Sequence, residues 1–156
     1  MRIVDPGGRW TGSMKLPKKM LVPCLVFLYS SYMSEKRRIL IVDDEPDHLA
    51  ALQLFIGREE DFEIVTAGDT SEAGEIMERG VDLVLLDIAL PGESGTDFCL
   101  RIKENEACRD IPIIAISAYP GTIWKDRAIE AGCVEYISKP SEPKTIIELI
   151  RKHLPS

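Results

Sequence analysis

Several polar side chains stand out because each closes an apolar run. Asp43 and Asp44 end "RILIVDD", Asp87 ends "DLVLLD", Ser117 ends "IPIIAIS", and Lys139 follows "VEYIS". Three carboxylates, a hydroxyl and an ammonium form a coherent set if the fold gathers them. Carboxylates held close together repel and raise one another's pKa values. A hard divalent cation relieves that repulsion, and an all-oxygen donor set suits Mg2+. The backbone carbonyl of Ala89, where the chain turns, offers a further oxygen. A carboxylate beside such a cation, a lysine and a hydroxyl is arranged to attack phosphorus, and aspartate is a known nucleophile for acyl-phosphate formation. The cation and Lys139 would neutralise the equatorial phosphoryl oxygens, while Ser117 donates a hydrogen bond. Pro91, Gly92 and Gly95 would keep the loop after Asp87 tight and open to a phosphoryl group.

The elements that must position these groups can be read from the same runs. "RILIVDD" (38–44), "DLVLLD" (82–87) and "IPIIAIS" (111–117) are continuously apolar, "FEIVTA" (62–67) alternates, and "VEYIS" (134–138) is shorter and partly polar. Continuous apolar strands imply burial on both faces, as in a parallel sheet covered by helices. Helical signals lie between them. "PDHLAALQLFI" places Pro46 in a first turn and carries apolar Leu49, Leu52, Leu54, Phe55 and Ile56. "DTSEAGEIMERG" offers Asp69 as cap, Glu72 three later and Gly80 as stop. "SGTDFCLRIKEN" groups Phe98, Cys99 and Ile102 on one side. "TIWKDRAIEAG" runs from Thr122 to Gly132, and "PKTIIELIRKHL" spaces Ile146, Ile147, Leu149, Ile150 and Leu154 at helical intervals. The pattern is (βα)5. Right-handed crossovers make a doubly wound α/β sheet the natural solution, with ligands beyond the carboxyl ends of the strands.

Composition narrows the function classes. Residues 1–33 carry Arg2, Arg9, Lys15, Lys18 and Lys19 against Asp5, so the remainder of a chain of net charge -7 carries -11. So acidic a domain, 34–156, is a poor candidate for direct contact with nucleic acid phosphates. Cys24, Cys99, Cys108 and Cys133 form no C-x-x-C pair and lack a histidine cluster, so no zinc site is expected. They read as reduced thiols of a cytoplasmic protein, with Cys99 and Cys133 filling core space. His48 and His153 read as helix-surface residues, because neither has a partner constellation. The leading segment, 1–33, does not match the rest. "MLVPCLVFLYSSY" (Met20 to Tyr32) follows three lysines, but it is too short for a comfortable membrane span, Pro23 interrupts it, and no A-x-A-like site follows. Met33 opens "MSEKRRILIVDDE", a natural start just before the first strand. The segment is therefore read as an upstream extension, either disordered or a misassigned start; a signal, a membrane anchor or a weakly ordered arm are the alternatives.

"ILIVDDEPD", "LVLLDIALPGESG", "IIAISAY" and "YISKP", in that order and spacing, resemble the receiver domain of two-component response regulators, close to the single-domain chemotaxis type. The resemblance covers residues 38–154. It implies a flavodoxin-like fold with strand order 2-1-3-4-5. It implies that Asp87 is the phosphoacceptor. Asp44, Asp87 and the Ala89 carbonyl would hold Mg2+ directly, and Asp43 through water. Ser117 would be the switch hydroxyl, Lys139 would bind the phosphoryl group, and the bond to Pro140 would be cis. Drawing Ser117 inward would vacate space for Tyr136 and reshape the face of the fourth helix, fifth strand and fifth helix, to which Trp124 could contribute. Ala89 and Tyr119, placed by the family beside the phosphoryl group, would set its hydrolysis rate. The donor would be a sensor histidine kinase or a histidine phosphotransfer protein, and the output a downstream protein contact, with neither nucleic acid nor membrane engaged directly. With the chain ending just beyond the fifth helix, a stand-alone receiver is expected, one that catalyses only its own phosphorylation and dephosphorylation. Two other functions compete. An aspartate-dependent phosphohydrolase needs a second Asp two residues after the first, where this chain has Ala89. A phosphorylation-independent interaction module would not need the acids and Lys139, all of which are present.

Overall fold

The computed structural model describes residues 36–154, together with the backbone of residues 2–4 and 10–13. The chain divides into two compact units, Met1–Glu35 and Lys36–Ser156. In the first, the short strands Arg2–Val4 and Trp10–Ser13 pair antiparallel. The remaining expectations for residues 1–33 lie outside the described residues.

The second unit is built on five parallel strands: β1 (Arg37–Val42), β2 (Phe62–Ala67), β3 (Leu83–Asp87), β4 (Ile113–Ser117) and β5 (Glu135–Ser138). Their spatial order is β2-β1-β3-β4-β5, the expected 2-1-3-4-5. The helices between and after them are α1 (Pro46–Ile56), α2 (Thr70–Glu78), α3 (Gly95–Glu104), α4 (Thr122–Glu130) and α5 (Pro143–His153). Alternate residues of one strand serve opposite layers, as the period of two requires. Leu40, Val42, Val84, Leu86 and Ala115 pack with Ala73 and Met77 of α2, Phe98, Cys99 and Ile102 of α3, and Ala128 of α4. Ile39, Ile41, Leu83, Leu85, Ile114 and Ile116 pack on the other face with Leu52 and Ile56 of α1 and Ile146 and Ile150 of α5. This explains why the apolar runs of β1, β3 and β4 show no polar alternation, whereas the outer strands β2 and β5 are only partly buried.

Local chemistry sets the helix ends. Asp69 accepts a hydrogen bond from the Glu72 amide at 2.8 Å, and the Glu72 carboxylate accepts one from the Gly68 amide at 2.8 Å. Together they satisfy amides that the first turn leaves open. Gly80 adopts φ 87°, which favours glycine, just past α2. Ser94 caps α3 by accepting from the Asp97 amide at 3.2 Å.

The structure departs from the sequence pattern in places. Leu54 and Phe55 group by type with the apolar residues of α1, yet they are 58% and 41% exposed. Leu52 and Ile56, four apart, share the inward face, and Leu54 and Phe55 between them turn outward. Arg58 lies over the Phe55 ring. Asp82 stands before β3 rather than within it. Its carboxylate accepts the Arg38 amide at 2.7 Å and an Arg37 guanidinium N–H at 3.2 Å, tying the starts of two strands. Among the described residues, no helix is long and apolar enough to cross a membrane.

Candidate phosphoacceptor site

Parallel strands bring remote carboxyl ends to one edge, and this edge collects the site. β1 delivers Asp43 and Asp44, β3 ends at Asp87, β4 ends at Ser117, and β5 leads into Lys139. Among the described residues, Asp43, Asp87 and Ser117 are the buried polar ones, at 2%, 5% and 0% exposure, whereas Asp44 is exposed. Burial of such groups requires partners. The Lys139 ammonium supplies one, donating to Asp87 at 2.7 Å and to Asp43 at 2.9 Å. The other oxygens are taken by amides: Asp87 accepts from Ala89 at 2.8 Å, and Asp43 from Glu45 at 2.9 Å. The Ser117 hydroxyl oxygen accepts from the Tyr119 amide at 3.1 Å, and the Lys139 amide donates to the Ser117 carbonyl at 2.8 Å. The Lys139–Pro140 peptide is cis.

Charge follows this geometry. Burial works to raise the Asp43 pKa, but the hydrogen bonds from Lys139 and the Glu45 amide and the contact with His48 outweigh it, holding the carboxyl below its ordinary range. Burial likewise opposes the charge of Lys139, and the bonds to Asp87 and Asp43 outweigh it, so its pKa is raised. A lowered folded-state carboxyl pKa contributes stability that is fully present above the unfolded value. That stability is lost as pH falls through the folded value. Urea stability should therefore decline below about pH 4, and Asp43→Asn should flatten that acid limb. Identical acid limbs for the two proteins would contradict this account of Asp43.

One carboxylate oxygen from each of Asp43, Asp44 and Asp87 lies within 4.8 Å of the others. Hard oxygen donors at that spacing fit a divalent cation such as Mg2+. Asp44 and Ala89 also line a cavity of about 530 Å³, whose lining includes Tyr119, Trp124 and Arg127. The Tyr119 and Trp124 rings stack with centroids 4.6 Å apart, and the Arg127 guanidinium lies 5.1 Å from the Trp124 centroid. Tyr136 on β5 donates its hydroxyl to the Tyr119 carbonyl at 2.6 Å. Tyr119 thus bridges Ser117 on one side and Tyr136 on the other.

His48 requires a correction. The sequence suggests a surface residue without a partner, but its Nδ1 contacts the Asp43 carboxylate. Helical Cα–Cβ bonds tilt toward the N-terminus, so a side chain in the first turn of α1 leans back over the β1–α1 loop. Its place two residues after Pro46 is the available signal. His153 is buried at its Nε2, which stands 3.6 Å from the Glu135 carboxylate, beyond hydrogen-bonding distance, and has no hydrogen-bond partner among the described residues.

A model of the response regulator receiver domain matches residues 39–151. The chain belongs to this family. The receiver is 40% identical over 114 residues to the sensory transduction protein RegX3 of Mycolicibacterium smegmatis, covering 72% of this chain and 48% of that protein. It is 35% identical over 120 residues to the DNA-binding response regulator MtrA of the same organism, covering 76% and 51%. The chain thus spans about half the length of the curated relatives it matches. Among solved structures, a CheY-like response regulator receiver domain protein from Methanospirillum hungatei superposes with TM-score 0.69 at 27% identity, covering 76% of this chain and 93% of that one. Two-component signalling is therefore the setting of this receiver.

Proposed function

We propose that the receiver accepts a phosphoryl group on Asp87 from a phosphohistidine of a sensor histidine kinase or histidine phosphotransfer protein. The observation that carries this is the Lys139 ammonium, which bonds Asp43 and Asp87 together beside a cavity open to a donor. An Asp87 carboxylate oxygen forms the new P–O bond as the P–N bond to the donor imidazole breaks, and the imidazole nitrogen takes up a proton. Lys139 faces the phosphoryl oxygens and offsets their charge. Asp44, Asp87 and the Ala89 carbonyl would hold Mg2+, with Asp43 acting through water; when bound, the cation supplies charge neutralisation for the transferring group. The Ser117 hydroxyl then turns to donate to the phosphoryl group, and the Tyr119 link to Tyr136 carries the change to the face of α4, β5 and α5. That face is the proposed contact for a downstream protein, in a cytoplasmic signalling module that acts by protein contact rather than by binding nucleic acid itself. The acidic charge of the domain favours that mode of output.

Incubation with acetyl phosphate and Mg2+ should produce a retarded species on a phosphate-affinity gel, and EDTA should remove it. Retardation that persists undiminished in EDTA would exclude the metal role. Ala89 and Tyr119 offer no acid or amide to orient water, so the acyl phosphate should be long-lived. Replacing Ala89 with Glu or Tyr119 with Asn should shorten its lifetime in a timed decay. Unchanged decay in both variants would remove these residues from hydrolysis control.

A further inference from the structure

We propose that Cys99 and Cys133 form a reversible, oxidant-driven disulfide that ties α3 to the entry of β5. The inference is independent of phosphotransfer. Cys99 lies on the inner face of α3 and Cys133 two residues before β5; both are buried, at 0% and 4% exposure. Their sulfurs are 3.5 Å apart. A short hydrogen-bond relay orients them: the Cys133 thiol donates to the Cys99 sulfur, and the Cys99 thiol donates to the Ala131 carbonyl at 3.2 Å. Cys108 is equally buried but takes no part in this contact.

Two further features suit the pair to oxidation. The hydrogen bond from Cys133 holds the Cys99 thiol below the usual thiol range, while the same bond pushes Cys133 up, so Cys99 ionises first. Lys103, whose ammonium is anchored by the Arg109 and Ile111 carbonyls, lies against Gly132 and favours the anion at both sulfurs. Gly132, at φ 104°, gives the chain a bend immediately before Cys133. Burial slows access but leaves local opening as a route for a small neutral oxidant such as hydrogen peroxide. The Cys99 thiolate attacks one peroxide oxygen, the O–O bond breaks, and hydroxide leaves to become water. Cys133 sulfur then attacks the resulting sulfenic sulfur, the S–O bond breaks, and a second water leaves with the Cys133 proton. Two thiols and one peroxide yield one disulfide and two waters, and a dithiol reductant reverses the change.

The test treats the folded full chain with hydrogen peroxide, then alkylates remaining thiols after denaturation and maps the peptides by mass spectrometry. The expected result is a loss of about 2 Da before alkylation, a linked Cys99–Cys133 peptide, and Cys24 and Cys108 alkylated as thiols. Dithiothreitol should restore four thiols, and the oxidised protein should melt at a higher temperature. Cys99 and Cys133 recovered as free thiols, or oxidised to sulfinic acid without a link, would overturn the proposal. So would a link that forms only when peroxide is added in urea. These readings use the native sequence, so they do not depend on a variant that folds.

Discussion

Asp87→Asn should abolish the acetyl phosphate-dependent gel shift, a loss of at least about a hundredfold. The side chain keeps its size and an oxygen that can accept from the Ala89 amide, which lies 2.8 Å from the carboxylate in the native protein. What disappears is the anionic oxygen proposed to attack phosphorus. Lys139 keeps Asp43 as a partner at 2.9 Å, so the ammonium is not left buried without a counter-charge. The variant should therefore fold, which circular dichroism and urea titration would verify in the same preparation. A shift that survives the substitution would move the phosphoacceptor elsewhere.

Gly95→Ala should destabilise the domain by roughly 3 kcal/mol and weaken phosphorylation with it. A Cβ at this position would stand 2.5 Å from the Asp87 carbonyl oxygen and 2.7 Å from the Ile88 Cα. Both are backbone atoms and cannot rotate away, so α3 and the end of β3 must part. The Gly95 amide also donates to the Ile88 carbonyl at 3.1 Å, a bond that separation would break. Gly74 is the contrast. It lies within α2, and a Cβ added there would meet nothing within 4 Å. Alanine at that position should stabilise by about 0.5–1 kcal/mol. Equal urea midpoints for the two variants would refute the close approach at Gly95.

Much of this architecture is legible in the residues because the sheet is buried on both faces. Continuous apolar runs ending in Asp43, Asp87 and Ser117 mark strands and mouth together, since a parallel sheet turns sequence-remote strand ends into neighbours. β2 matches its expected limits, residues 62–67, while β1, β3 and β4 end or begin within a few residues of theirs. The features that escape depend on direction rather than type. His48 is only a histidine on a helix until the fold points it at Asp43. Leu54 and Phe55 are apolar at plausible spacing, but only the angular position of Leu52 and Ile56 decides which face is inward. Gly95 suggests a tight, open loop by its type, whereas its constraint is a backbone contact seven to eight residues back in the chain. The Cys99–Cys133 contact spans 34 residues and leaves no local trace.

The bond from Lys139 to Asp43 joins residues 96 apart, and that to Asp87 joins residues 52 apart. The lysine that joins the two buried aspartates follows β5. During synthesis, the aspartates emerge from the ribosome long before their cation does, and β5 must dock before the two meet. A nascent or C-terminally clipped chain would thus carry the proposed acceptor carboxylate without its cationic partner, so on this reading competence to receive a phosphoryl group arrives together with a finished fold.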